Sequence, residues 1–259
     1  MSMKDPHVVS LTYKASPSES ISFEKAPPLE GTIENLRFRL DGETLRIEPT
    51  IHFPSIDEAR YYVDPLLHSW EIDIALRFGK PELSFVYDTA KVIDRQPHHP
   101  GLRQAVLNVQ LGELVLAGSA VTLRVSRGSY PHPPTVFRVN PDVETLWRRY
   151  QGYRKGREPL PSMAYFCLTL IESLAGGRDG AASAFKISKR VLAKIGQLTS
   201  ERGDASTARK YRAITAGAAL TGAESAWLEE FIKIIIRRVG EARAIDTLST
   251  VDIDNLPRL

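Results

Sequence analysis

Apolar side chains along this 259-residue chain follow one period up to about residue 140 and another beyond it. From His7 to about Asn140 they alternate with polar residues, the period of half-buried strands. Leu36, Phe38 and Leu40 alternate into Asp41-Gly42, and Leu45 and Ile47 alternate on the return. This predicts a hairpin, with Asp-Gly at a turn that needs positive φ. Ser55 followed three residues later by Glu58 forms a capping box, and Ala59, Tyr62, Val63 and Leu66 continue at helical spacing, so a short helix is expected there, limited or kinked by Pro65. Trp70, Ile72, Ile74, Leu76 and Phe78 then share one face if the chain is extended, which predicts a strand. Further strands are expected at 83–87, 91–94, 105–110, 114–116, 121–125 and 135–139, with the Pro-rich HHPG and SYPHPP segments as loops. So many short strands read as an antiparallel β sandwich or barrel with one short helix.

At Asn140 the period becomes that of a helix. Asn140 can cap, Pro141 suits the first helical position, and Val143, Leu146, Trp147 and Tyr150 share a face. The most strongly patterned segment follows, PSMAYFCLTLIESLAGG, residues 161–177. Its polar residues Ser162, Tyr165, Thr169, Glu172 and Ser173 fall on one stripe at roughly 100° per residue, leaving the rest to be buried. Residues 181–199 are helical in character, 205–213 less clearly so, and Thr221 with Glu224 caps a last helix running to about Arg243. The fold class expected is therefore α+β, with a β domain over residues 1–140 and an α-helical bundle over 141–259 that ends in an acidic tail bearing Asp246, Asp252 and Asp254.

Charge sharpens this division. Residues 1–140 carry 15 basic and 17 acidic side chains, a net −2, whereas 141–259 carry 19 and 14, a net +5. A basic helical half suits a polyanionic partner and equally a solvated surface. The single cysteine, Cys167, sits among apolar residues and reads as core. The absence of a disulfide pair, of an apolar run long enough to span a bilayer and of a secretory signal fits a cytoplasmic protein that does not engage membranes.

Two segments carry candidate chemistry. LWRRYQGYRKGR interleaves Trp147, Tyr150 and Tyr153 with Arg148, Arg149, Arg154, Lys155 and Arg157, the mixture of stacking platforms and cations that binds single strands. Against this, Trp147 and Tyr150 lie on the apolar face. AASAFKISKRVLAKIGQL resembles a helix-turn-helix, with a turn at Lys186-Ile187, Ser188 as cap, and Lys189, Arg190 and Lys194 on the second helix. A groove-reading helix needs such a cap, an apolar back and a basic front. Lys186 stands where the turn glycine is usual.

The segments WRRYQGYRKGREPLPSMAYFCLTLIESLAGG and TGAESAWLEEFIKIIIRRVGE, around the basic middle helix and after a β domain, together resemble a HEPN-like helical domain. That fold occurs in many prokaryotic toxins and defence proteins. Active members are ribonucleases that pair an arginine with a polar residue and a histidine a few positions on. All six histidines here, His7, His52, His68, His98, His99 and His132, precede the helical half. The resemblance therefore implies a non-catalytic module for binding or for homodimer formation through the helical domain.

Catalytic and cofactor signals are lacking. Asp94, His98, His99 and His132 are the one plausible ligand cluster in the sequence, but their spacing matches no metal motif and they read as solvated loop residues. Glu71 and Asp73 would share a strand face with Arg77, as a solvated, charge-compensated surface. There is no phosphate-binding glycine loop, dinucleotide fingerprint or nucleophile elbow. The expectation is a binding protein without cofactor or metal, whose basic half contacts nucleic acid, RNA ahead of DNA, or a partner subunit. Tyr165, Thr169 and Glu172 would line the partner-facing edge. Its alternatives are a DNA-binding regulator using residues 181–198, and a nuclease or hydrolase joining β-domain histidines or acids to arginines of the bundle.

Overall fold

The computed structural model describes residues 4–96, 107–108, 124–201 and 219–259. Expectations for 97–106, 109–123 and 202–218 lie outside the described residues; these include His98 and His99, the 114–116 strand and the 205–213 helix. Two compact units emerge, Met1–Thr135 and Val136–Leu259, so the boundary falls just ahead of the Asn140 cap.

The first unit is an open antiparallel sheet under one long helix. β1 (Pro6–Pro17), β2 (Ile21–Ser22), β3 (Leu29–Ile33), β4 (Leu36–Asp41) and β5 (Thr44–Pro49) precede α1 (Ile56–Phe78), and β6 (Leu83–Asp94), β7 (Leu107–Asn108) and β8 (Val125–Ser126) follow it. The six-stranded sheet runs β3-β4-β5-β1-β6-β7, and β2 pairs in parallel with β8. Among the described residues no strand pairing closes this sheet. The two strands expected at 83–87 and 91–94 are the single strand β6. The β4–β5 hairpin forms as expected, but Asp41 pairs with Thr44, so the turn residues are Gly42 and Glu43 and Gly42 alone has positive φ.

The expected strand at 70–78 is instead the second half of α1. The helix starts where the capping box placed it, with the Ser55 side chain accepting from the Glu58 N–H. Ala59, Val63, Leu67, Trp70 and Ile74 continue one buried face without interruption. Ile72, Asp73, Ala75 and Leu76 are buried as well. A helix covered on several sides loses its 3.6-residue signature, and alternation within it then imitates a strand. Pro65 does not end the helix. The bond its missing N–H forgoes would go to the Tyr61 carbonyl, on a side where Tyr61 is 87% exposed, and the Ser69 hydroxyl donates to the Pro65 carbonyl at 2.7 Å. Gly79, at φ 72°, terminates α1.

α1 packs its buried face against Leu11, Tyr13, Phe38, Leu40, Leu45 and Ile47 of the sheet. Trp70 lies at the centre, with ring centroids 5.6 Å from Phe38 and 4.9 Å from Phe85, and its indole N–H donates to the Pro131 carbonyl.

The second unit is helical: α2 (Pro141–Arg154), α3 (Leu160–Leu174), α4 (Arg178–Ala184), α5 (Lys189–Glu201) and α6 (Gly222–Gly240). Asn140 caps α2 through the Val143 N–H, and Thr221 and Glu224 complete the capping box of α6. Among the described residues, α3 touches the other four helices. Met163, Ala164, Cys167, Leu168 and Ile171 are buried there, as are Trp227, Phe231 and Ile235 of α6. Burial pushes the Cys167 thiol far above its ordinary range, consistent with a packing role. The strand expected at 135–139 is irregular chain: Phe137 packs on the end of α6, and the Arg138 N–H donates to the Gly240 carbonyl. Beyond Gly240 the tail is ordered as two short 3-10 turns, 242–247 and 253–255. Among the described residues, no helix is long and apolar enough to cross a membrane.

Candidate nucleic-acid interface

The helical character of 181–199 resolves into two helices around a sharp turn. The Ile187 N–H returns to the Ala182 carbonyl and the Lys186 N–H to Ser183, which satisfies the open end of α4. This geometry requires a left-handed residue, and Lys186 supplies it at φ 51°. Ser188 then caps α5, its hydroxyl accepting from the Val191 N–H at 3.3 Å. Ala181, Phe185, Ile187, Val191, Leu192, Ile195 and Leu198 are buried. Lys189, Arg190, Ala193, Gln197 and Ser200 are exposed, and Lys194 is half-buried. No carboxylate interrupts that front between Lys189 and Ser200.

The tail braces this turn. Val251 forms a parallel bridge with Ile187, its N–H donating to the Lys186 carbonyl and its own carbonyl accepting from the Ser188 N–H, both at 2.8 Å. The Ser188 hydroxyl donates to Asp252 Oδ1 at 2.8 Å. Buried Arg238 of α6 holds the Ser249 carbonyl at 2.8 Å. The Ile253 N–H, with Ser188, holds the Asp252 carboxyl below the usual range.

The basic residues of this region have weak local partners. Lys189 lies 2.9 Å from Asp179, Arg190 3.9 Å from Asp252 and Lys186 3.9 Å from Asp246, while Lys194 donates to Gln197 at 3.2 Å. The Lys189 and Arg190 side chains remain 65% and 67% exposed. Such surface pairs contribute about 0–1 kcal/mol and yield readily to a phosphate.

The α2 candidates divide differently. Arg149 forms a two-point pair with Glu158 and lies 3.8 Å above the Phe166 ring centroid. Arg154 donates to Glu229 at 2.7 Å, joined there by the Tyr150 hydroxyl at 3.0 Å and the Tyr153 hydroxyl at 3.3 Å. Tyr150 is buried and Trp147 half-buried. Arg149 and Arg154 thus hold α2 to its neighbours, while Arg148 and Lys155 stand exposed. On α3, Thr169 is exposed, Tyr165 and Glu172 are half-buried, and Glu172 pairs with Arg178 at 2.7 Å.

The Glu229 cluster has a pH consequence. Burial alone would raise its carboxyl pKa, but the hydrogen bonds from Arg154 and Tyr150 outweigh burial and hold it below the ordinary value. A depressed carboxylate contributes stability above its unfolded pKa, about 4.3, and loses it as the pH falls through the folded value. The urea midpoint of the helical unit is expected to drop across that window in the wild type. E229Q should show a shallower drop, and an unchanged slope would remove Glu229 as the cause.

In the first unit, the acids read from the sequence serve the fold. Asp94 accepts from the backbone N–H groups of Lys4, Asp5 and Gln96 at 3.0–3.1 Å. Glu71 and Asp73 do not form a solvated pair on a strand: Glu71 accepts the Phe85 N–H at 2.6 Å, and Asp73 is buried against Arg77, also at 2.6 Å. Arg77 further donates to the His132 carbonyl. Among the described residues, no three His, Cys, Asp or Glu side chains converge as metal ligands would. A pair that spacing did not reveal is His7 with His52, whose Nδ1 atoms are 3.0 Å apart. The sequence matches no protein-family model, and no significant match was found among curated proteins or solved structures.

Proposed function

We propose that the protein binds duplex DNA, with α5 as the helix that enters the major groove and without enzymatic activity. The observation that carries this reading is the exposed front of α5, which contributes no acid of its own from Lys189 to Ser200 and stands on a capped, braced turn, with Asp179 and Asp252 as exchangeable surface partners. A major groove admits one α-helix, and the residue types on this front match its chemistry. Lys189, Arg190 and Lys194 suit phosphates or guanine edges, Gln197 suits adenine, and Ala193 suits a thymine methyl. The single-strand or RNA reading built on α2 has less to draw on, because Arg149, Arg154 and Tyr150 are engaged within the fold. Helical RNA offers a major groove too deep and narrow for α5.

Fluorescence anisotropy with labelled duplex DNA, single-stranded DNA and single-stranded RNA at two salt concentrations tests this. Duplex DNA is expected to bind tightest, with affinity falling steeply as salt rises. K189A/R190A, which leaves the Ser188 cap in place, should weaken duplex binding about tenfold or more while circular dichroism stays unchanged. Equal affinity in the double variant would defeat the assignment to α5, and a preference for RNA that K189A/R190A does not alter would return it to Arg148 and Lys155.

A further inference from the structure

His7 begins β1 and His52 lies in the bend after β5, 45 residues away, yet their Nδ1 atoms are 3.0 Å apart and their rings stack with centroids at 5.1 Å. Two imidazole nitrogens at this distance share one proton, so one of them presents a bare lone pair to the other. The surroundings hold the pair in place. The Val8 N–H donates to the Phe53 carbonyl at 3.0 Å, tying the strand of one ring to the bend of the other. Asp5 Oδ1 lies 3.9 Å from His52 Nε2, the nitrogen facing away from His7. Asp5 is in turn gripped by Arg95 through two hydrogen bonds of 2.9 and 3.1 Å, which spend the Arg95 charge on a carboxylate.

We infer that His7 and His52 form a two-imidazole site for a tetragonal late first-row ion, Cu2+ or Ni2+, with water in the remaining positions. In the hydrogen-bonded pair the two Nδ1 atoms face each other, and a turn of each ring at unchanged separation would aim both at one ion. With metal–nitrogen bonds of about 2.0–2.1 Å, nitrogens 3.0 Å apart subtend about 90° at the metal, the angle between neighbouring corners of a square plane. A tetrahedral zinc site would hold them about 3.4 Å apart. Proton balance is simple: both rings stay neutral, and the proton between the two Nδ1 atoms moves to Nε2 of the ring that carried it. That leaves a proton on His52 Nε2 facing Asp5, whose carboxylate at 3.9 Å lies beyond hydrogen-bond reach but favours that protonated nitrogen electrostatically. The His52 side chain is 37% exposed, which leaves room for the water ligands.

Titration of the tag-free full chain with Cu2+, followed by electron paramagnetic resonance, tests this independently of any nucleic-acid role. One tight equivalent with the signature of two equatorial imidazole nitrogens is expected. H7Q and H52Q should each lose that signature and weaken binding at least tenfold, whereas H68Q should keep both. D5N should weaken binding about tenfold with the spectrum retained, since it removes the carboxylate behind the ligand and frees the Arg95 charge without touching either ligating ring. An unchanged spectrum in H7Q/H52Q would show that the ion binds elsewhere and overturn the inference, as would Cu2+ uptake no greater than that of the double variant. Circular dichroism of the variants guards against a folding loss.

Discussion

Replacing Trp70 with alanine is expected to destabilise the N-terminal unit by about 4–5 kcal/mol, the upper end for a buried aromatic deletion. Two losses combine. The cavity opens between Phe38 and Phe85, where neither the sheet nor α1 can collapse freely, and the Pro131 carbonyl loses its buried donor. W70F separates them in part, because it keeps one ring in the slot while removing the N–H and the rest of the indole; about 1–3 kcal/mol is expected. Since the other tryptophans, Trp147 and Trp227, lie in the helical unit, tryptophan fluorescence of W70F reports that unit alone. The loss should therefore appear in urea melts followed by far-ultraviolet circular dichroism, while fluorescence follows the helical unit separately. A W70A protein within 1 kcal/mol of wild type would mean that Trp70 is not the centre of this core.

Gly240→Ala provides the second large effect, and there two principles oppose each other in sign. Within a helix, alanine is favoured over glycine by about 1 kcal/mol. At Gly240, however, an added Cβ would stand 2.3 Å from one Phe137 ring carbon, 2.4 Å from another and 3.0 Å from the Arg138 carbonyl oxygen. Phe137 is buried, and its neighbour is tied back by the bond from the Arg138 N–H to the Gly240 carbonyl. The ring cannot swing away without unseating the chain that leads into α2. Contacts this short put the overpacking cost near the upper end of about 1–3 kcal/mol, so that, less the propensity gain, the net change should be a destabilisation of roughly 2 kcal/mol. A raised melting temperature would show that the segment yields and that propensity wins.

What could be read in the sequence was whatever depended on near neighbours. The caps at Ser55, Asn140, Thr221 and Ser188, the β4–β5 hairpin and the turn at Lys186 each rest on residues within a few positions of one another. Periodicity failed where burial was complete. The second half of α1 has apolar residues on several sides, so Trp70, Ile72, Ile74 and Leu76 presented the alternation of a strand although they continue the helical face begun at Ala59. The interface divided along the same line. Lys189, Arg190 and Lys194 are solvent-facing because their own helix buries Val191, Leu192 and Ile195, a local pattern. The diversion of Arg154 to Glu229 depends on a residue 75 positions away, and the meeting of His7 with His52 on one 45 positions away. Neither separation leaves a trace in the spacing of the residues themselves.

The bracing of the α4–α5 turn by Val251 and Asp252 also sets an order of assembly. Helices α4 and α5 close their own hydrogen bonds locally, but the Lys186 carbonyl, the Ser188 N–H and the proton of the Ser188 hydroxyl find their partners only when a stretch more than 60 residues downstream arrives. Closing so long a loop carries an entropic cost that local turns do not bear. On a chain made from its N-terminus, these bonds become available only after α6 and the segment around Ser249 have been synthesised, although α5 already packs on α3 and α4. The brace behind the surface proposed to meet DNA thus depends on contacts far more distant in sequence than the helix it supports.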